Sequence, residues 1–246
     1  MTEPAGDQPI YELKDVVKTR VSGSYRFSLR VPSLRIFPGE KIALIGESGC
    51  GKSTLLDMLA FVLQPSSCER FGFRAGGQEE DIGKAWHRHR RDRLAGLRKQ
   101  HLGYVMQTGG LLPYLTVRQN MNLSRRILGM KKDDTVEELA EELGLARHLD
   151  KRPDQLSTGE RQRVATGRAL AHRPAIVIAD EPTASVDPFA AEKIMALFIE
   201  MVEQRNITVI VASHAWRHIK QLGLRRLAHH TRRSKGGHAA ETVVSG

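Results

Sequence analysis

Apolar and polar residues partly alternate along Ile10–Arg20 and Tyr25–Ile36, the two-residue period of half-buried strands. Lys41–Ile45, Ala175–Ala179 and Ile207–Ala212 are compact apolar runs, and His101–Gln107 reads as a further strand. Helical spacing predicts helices over Thr54–Leu63, Trp86–Arg98, Val117–Leu128, Thr135–Leu143 and Glu160–His172. Asp134 and Thr135, with Glu137 and Glu138 just behind, supply a cap and first-turn acids. Ser66–Gly83 is polar and Gly-rich, which suits loops and a short hairpin. Apolar strands separated by helices imply a parallel sheet covered on both faces. The helical block between His101–Gln107 and Ala175–Ala179 is too long for one crossover, so a helical subdomain is expected there, at about 109–172 of a single-domain chain.

Composition narrows the class. Of 246 residues, 40% are apolar and 27% charged, which excludes low-complexity disorder and collagen-like repeats. No apolar run approaches the roughly 18–20 residues of a membrane span. Met1–Pro9 lacks the basic and apolar regions of a secretory signal. Two cysteines, Cys50 and Cys68, make neither a disulfide framework nor a Cys-based zinc site, so a reducing, cytoplasmic setting is expected. The net charge of +10 comes from two segments. Lys84–His101 holds seven Lys/Arg against one acid, and Arg217–His238 holds seven and none. Such patches suit anionic lipid, nucleic acid or an acidic partner, or are simply solvated faces.

Gly46-Glu47-Ser48-Gly49-Cys50-Gly51-Lys52-Ser53 fits G-x-x-x-x-G-K-[ST], with an apolar strand before it and a helix from Thr54 after it. Glycines allow a tight turn that aims N–H groups at phosphate oxygens, and the helix N-terminus adds partial positive charge. Lys52 should reach the β- and γ-phosphates, and the Ser53 hydroxyl should ligate Mg²⁺. Cys50 is a thiol near a helix N-terminus, a setting that favours redox sensitivity, or a small residue that fits. Asp180 and Glu181 end the apolar run Ala175–Ala179, where ligands of a doubly wound sheet sit. Asp180 is placed to hold Mg²⁺ directly or through water, and Glu181 to activate a water against the γ-phosphate.

Leu156–Val164 (LSTGERQRV) and Asp180–Asp187 (DEPTASVD) resemble the signature and acidic motifs of ATP-binding-cassette ATPases. They follow the family order of phosphate loop, Gln107, signature, Asp180-Glu181 and His214, over roughly Ile10 to His218. ERQRV is closest to the lipoprotein-releasing and macrolide-export group. The resemblance implies an α/β P-loop NTPase core, an N-terminal antiparallel β subdomain and an inserted helical subdomain. It also implies ATP and Mg²⁺ as ligands, and a head-to-tail dimer that sandwiches two ATP molecules. In that dimer Ser157 and Gly159 would contact the opposite γ-phosphate, and Asp187 would lie in the interface. Gln107 would touch Mg²⁺ and the attacking water, and His214 the γ-phosphate.

A separate integral membrane permease would supply the pathway, placing the chain at the cytoplasmic face of the inner membrane. A helix of that partner would dock around Gln107–Leu123, where Leu111, Leu112 and Tyr114 offer apolar surface, although core packing explains them equally well. A cell-division-type signalling ATPase is the alternative. A nucleic-acid machine is disfavoured by the single cassette without coiled coil or zinc module.

The sequence departs from the family at four places. Thr158 replaces the first signature glycine, adding bulk where an opposing nucleotide would approach. Glu160 stands where many members have Gln. The adenine-stacking position carries Arg20, with Tyr25 as a nearby substitute. The C-terminal segment, about 217–246, is basic and His-rich (His229, His230, His238), which suggests a solvated tail or membrane-surface patch before a metal site.

Overall fold

Three parallel strands set the architecture: β3 (Lys41–Ile45), β7 (Ile176–Asp180) and β8 (Thr208–Ser213). The computed structural model describes residues 8–214, 222–234 and 239–246. Side chains alternate across these strands. Ile42, Leu44, Ile176, Ile178, Ile210 and Ala212 join one core cluster, whereas Ala43, Ile45, Val177, Ala179, Val209 and Val211 join the other. Both faces of the sheet are therefore buried, which is why these segments read as continuous apolar runs. With β6 (Leu102–Val105) and β9 (Arg225–Arg226) they form a five-stranded sheet in the order β6-β7-β8-β3-β9.

One face is covered by α1 (Lys52–Leu59) and a second sheet. That sheet has six strands in the order β10-β11-β2-β1-β4-β5. They are β1 (Tyr11–Ser22), β2 (Tyr25–Ile36), β4 (Arg70–Ala75), β5 (Gln78–Asp81), β10 (Ala228–Arg233) and β11 (Ala239–Ser245). Between the layers lie Tyr11, Phe61, Phe71 and Phe73, with Tyr11 and Phe73 centroids 5.0 Å apart. The Tyr11 hydroxyl donates to Leu59 O at 2.6 Å, and burial pushes its pKa up.

The basic C-terminal segment corrects the expectation of a tail. Its described parts are strands, and β11 pairs in parallel with β2, Thr242 opposite Leu29. Thr242 and Val244 are buried at alternate positions, a period that the adjacent arginines and histidines mask in the sequence. The expected N-terminal antiparallel subdomain is therefore a mixed sheet, in which β10 and β11 join β1, β2, β4 and β5 through one parallel pairing. His238 lies outside the described residues.

The other face carries α7 (Thr158–Leu170) and α8 (Pro188–Gln204), with α4 (Val117–Met121), α5 (Leu123–Ile127) and α6 (Thr135–Glu142) packed beyond α7. The sequence pattern did not assign α8. Asp187 caps it by accepting from Ala190 N at 3.0 Å, and Pro188 stands in its first turn. At α6 the expected cap fails: Asp134 makes no side-chain cap bond, and Asp133 accepts from Thr135 N instead. The basic stretch Lys84–His101 spans α2 (Ile82–His87) and α3 (Arg91–His101). Three of its charges are engaged, Lys84 with Asp81, Arg93 with Glu80, and Arg98 with Phe61 O. Among the described residues no helix is long and apolar enough to cross a membrane.

Helix α7 approaches the sheet tightly at Gly103. A Cβ there would sit 2.3 Å from Ala169 O and 3.1 Å from Val177 Cγ2. Gly103→Ala is expected to destabilise the fold by about 2 kcal/mol or more. Urea denaturation should show a lower midpoint at unchanged slope.

Candidate nucleotide site

The segments that leave the carboxyl ends of β3, β6 and β7 meet at one cavity. Gly46–Gly51 leave β3, reverse, and feed α1. Gly49 (φ 81°) and Gly51 (φ 98°) take left-handed conformations that a side chain would strain. Gly46 N donates to Ser213 O at 3.4 Å, tying the loop to β8. The cavity has a volume of about 460 Å³ and is lined by Ser48, Gly49, Gly51, Lys52, Ser53, Thr54, Gln107, Asp180 and Glu181, with Arg20, Ser22, Tyr25 and Phe27 around them. Gly46, Glu47 and Cys50 face a neighbouring cavity instead.

Lys52 is the buried charge of the site, 6% exposed. Its ammonium donates to Gly46 O at 2.7 Å and Glu47 O at 3.0 Å, and lies 3.4 Å from Glu181 Oε1. A buried cation needs such partners, and here they come from the turn itself and the next strand end. Glu181 has a left-handed backbone (φ 46°), and its N–H bonds Ala212 O at 2.9 Å. This break in strand geometry carries its carboxylate toward Lys52. His214 follows β8 and brings Nδ1 to 3.2 Å from Glu181 Oε2. Lys52, Glu181 and His214 therefore form one polar chain beside the cavity.

Ser53, Gln107 and Asp180 all line the cavity. A hydroxyl, an amide oxygen and a carboxylate are hard oxygen donors, the set that suits Mg²⁺. Two residues here were missed in the sequence. Asp57, one turn after Ser53 on α1, has its pKa raised by burial and by Asp180, against lowering by Arg20 and a Tyr104 hydrogen bond. Tyr104 on β6 is pushed up by burial, then by Asp57 and Asp180. The i, i+4 spacing of Ser53 and Asp57 was the available signal. Arg20 and Tyr25 both line the cavity.

Ser157 and Gly159 do not line this cavity. Ser157 is exposed and caps α7, accepting from Glu160 N at 3.3 Å while Glu160 accepts from Ser157 N at 2.8 Å. The Ser157 N–H holds the Glu160 carboxyl below its usual range. Thr158 is drawn into the same cap, its hydroxyl accepting from Arg161 at 3.0 Å. Farther along α7, Gln162 donates to Gln107 O, and Arg168 to Gly109 O at 2.7 Å and Gly110 O at 2.8 Å. The helix that starts at Ser157 thereby holds the segment that follows Gln107.

Residues 29–184 match the family model described as ABC transporter. The chain is 38% identical over 185 residues to a lipoprotein-releasing system ATP-binding protein of Rhodospirillum rubrum, covering 74% of this chain and 77% of that protein. It is 35% identical over 210 residues to a macrolide export ATP-binding/permease protein of Shigella flexneri, covering 84% of this chain but 31% of that longer protein. A solved dimeric ATP-binding cassette, in a post-hydrolysis state with ADP and Pi, superposes with TM-score 0.74 at 30% identity, over 88% of this chain and 93% of that one. The fold and site define a nucleotide-hydrolysing cassette. The chain belongs to the ABC transporter family, as an ATP-binding and ATP-hydrolysing member.

A Cβ on Gly51 would lie 2.8 Å from Phe27 Cζ at a backbone angle that disfavours side chains. Gly51→Ala is expected to weaken ATP binding about tenfold or more through roughly 1–2 kcal/mol of strain and a displaced loop. A nucleotide titration beside a thermal melt checks it.

Proposed function

We propose that this chain is the motor of a membrane exporter, acting as a head-to-tail pair of cassettes on a separate permease at the cytoplasmic face of the inner membrane. The observation that carries the reading is the chain Lys52–Glu181–His214 beside the open cavity. A triphosphate entering there would take over Lys52 from Gly46 O and Glu47 O, since phosphate is the stronger acceptor. Loop N–H groups and the start of α1 would hold the remaining phosphate charge. Ser53, Gln107 and Asp180 would hold Mg²⁺, which when bound neutralises charge on the phosphates. Glu181 then takes a proton from water as its oxygen bonds the γ-phosphorus and the bond to the ADP oxygen breaks. The products are ADP and inorganic phosphate. His214 orients Glu181 and reaches the γ-phosphate. Arg20 and Tyr25 each offer a planar group to the adenine.

Exposed Ser157, with Gly159 two residues on, lies outside its own chain's cavity and would complete the site of a second copy. Met106 and Tyr114, 49% and 67% exposed, flank the segment held by α7 and suit a helix from the membrane partner. The export reading is supported by the names of the lipoprotein-releasing and macrolide-export relatives.

Glu181→Gln should lower turnover by about 10²-fold or more while ATP stays bound, and the ATP-bound pair should accumulate on size exclusion. Normal hydrolysis by that variant would remove Glu181 as the base. Lys52→Ala should weaken ATP binding by tenfold or more in the same titration. Purification in mild detergent should bring a multi-span membrane protein; nucleic acid instead would overturn the transport reading.

A further inference from the structure

We propose that His229 is a positioning residue for the phosphate loop, through which the basic C-terminal hairpin sets how tightly the loop grips a nucleotide. The inference rests on the nucleotide site proposed above and adds a residue outside the motifs that carry the family resemblance.

β10 and β11 form a hairpin, with His229 opposite Val244, and β11 adds to β2. His229 is half-buried between exposed Ala228 and His230, so the strand turns it inward. Its imidazole lies on the first glycine of the loop. A Cβ on Gly46 would be 2.5 Å from His229 Nε2 and 2.7 Å from both His229 Cε1 and Cys50 Sγ. The loop is thus pressed at Gly46 by β10 and at Gly51 by Phe27 of β2. Both contacts come from one sheet.

Nδ1 of His229 is buried with no hydrogen-bond partner among the described residues. A side chain kept only for packing is better served by an apolar residue, because an unpaired buried polar atom costs free energy. The neighbouring cavity, about 550 Å³, is lined by Arg226, His229, His230 and Arg233, with Glu47 and Cys50 on the loop side. Lys52 stands on the other side of the loop, close enough to act on His229. Burial, then Arg226, Lys52 and His230, hold the imidazole below its usual pKa. These surroundings disfavour the imidazolium. Phosphates arriving at Lys52 reverse the sign of the local field and favour the imidazolium. By linkage, ATP should bind with proton uptake and more tightly as pH falls.

The test is a fluorescent ATP-analogue titration of the full chain from pH 8.5 to 6, on wild type, His229→Gln, His229→Ala and Arg232→Gln. Wild type should gain affinity on acidification by about threefold or more relative to His229→Gln, up to about tenfold for each unit by which the phosphates raise the pKa. His229→Ala should bind more weakly at every pH, and His229→Gln, which still fills the space, should recover part of that loss. Arg232→Gln, removing an exposed charge from the same strand, should keep the wild-type profile. A folded His229→Ala with wild-type affinity and pH profile would overturn the proposal. Should His229→Ala not fold, a His229→Gln profile parallel to wild type overturns it alone. Absence of nucleotide binding by wild type would sink the site itself, an outcome distinct from any difference among the variants.

Discussion

A loop that binds phosphate with its own N–H groups has to leave those groups unpaired and pointing into open space. Here the loop is held from within by Cys50 N–H to Glu47 O and by Lys52 to Gly46 O and Glu47 O, and the rest of its shape must be imposed from outside. Much of this molecule meets that constraint. β3 and β8 run in register with Ile45 opposite Ser213, and the Ser213 carbonyl catches Gly46. Phe27 and Leu29 close on Gly51. The double burial of the parallel sheet makes these positions rigid, since no strand can shift without moving side chains in two cores.

The helices extend the same rigidity sideways. α7 begins at the exposed cap of Ser157, approaches Gly103 along its length, and on the way binds the carbonyls of Gln107, Gly109 and Gly110. A displacement of the Gln107 segment must therefore either break three side-chain bonds or carry α7 with it. Burial holds the Arg168 pKa below its usual value, the expected state of a cation whose partners are carbonyls and not carboxylates.

The parts legible in the sequence were those whose reason is local. β3, β7 and β8 announce themselves because burial on both faces demands unbroken apolar runs. The phosphate loop does so because its glycines, lysine and serine answer to one short turn. Cassette order gave Gln107, Asp180, Glu181 and His214, three of which line the cavity while His214 reaches it through Glu181. What stayed hidden depends on neighbours far along the chain. Arginines on the outer side of β10 disguised a strand whose inner side closes the mixed sheet. Asp57 and Tyr104 matter only because α1 and β6 bring them to Asp180. The Asp133 cap differs from the expected Asp134 by a single residue, a distance that local turn geometry decides and composition does not.

The contact between Lys52 and Glu181 couples the buried cation of the pocket to a strand-end carboxylate. Moving either group leaves the charge of the other unmatched in a largely buried setting. In the proposed mechanism a triphosphate would claim the lysine and, by its own charge, repel the carboxylate it displaces. The substrate would thus arm the very group proposed to consume it.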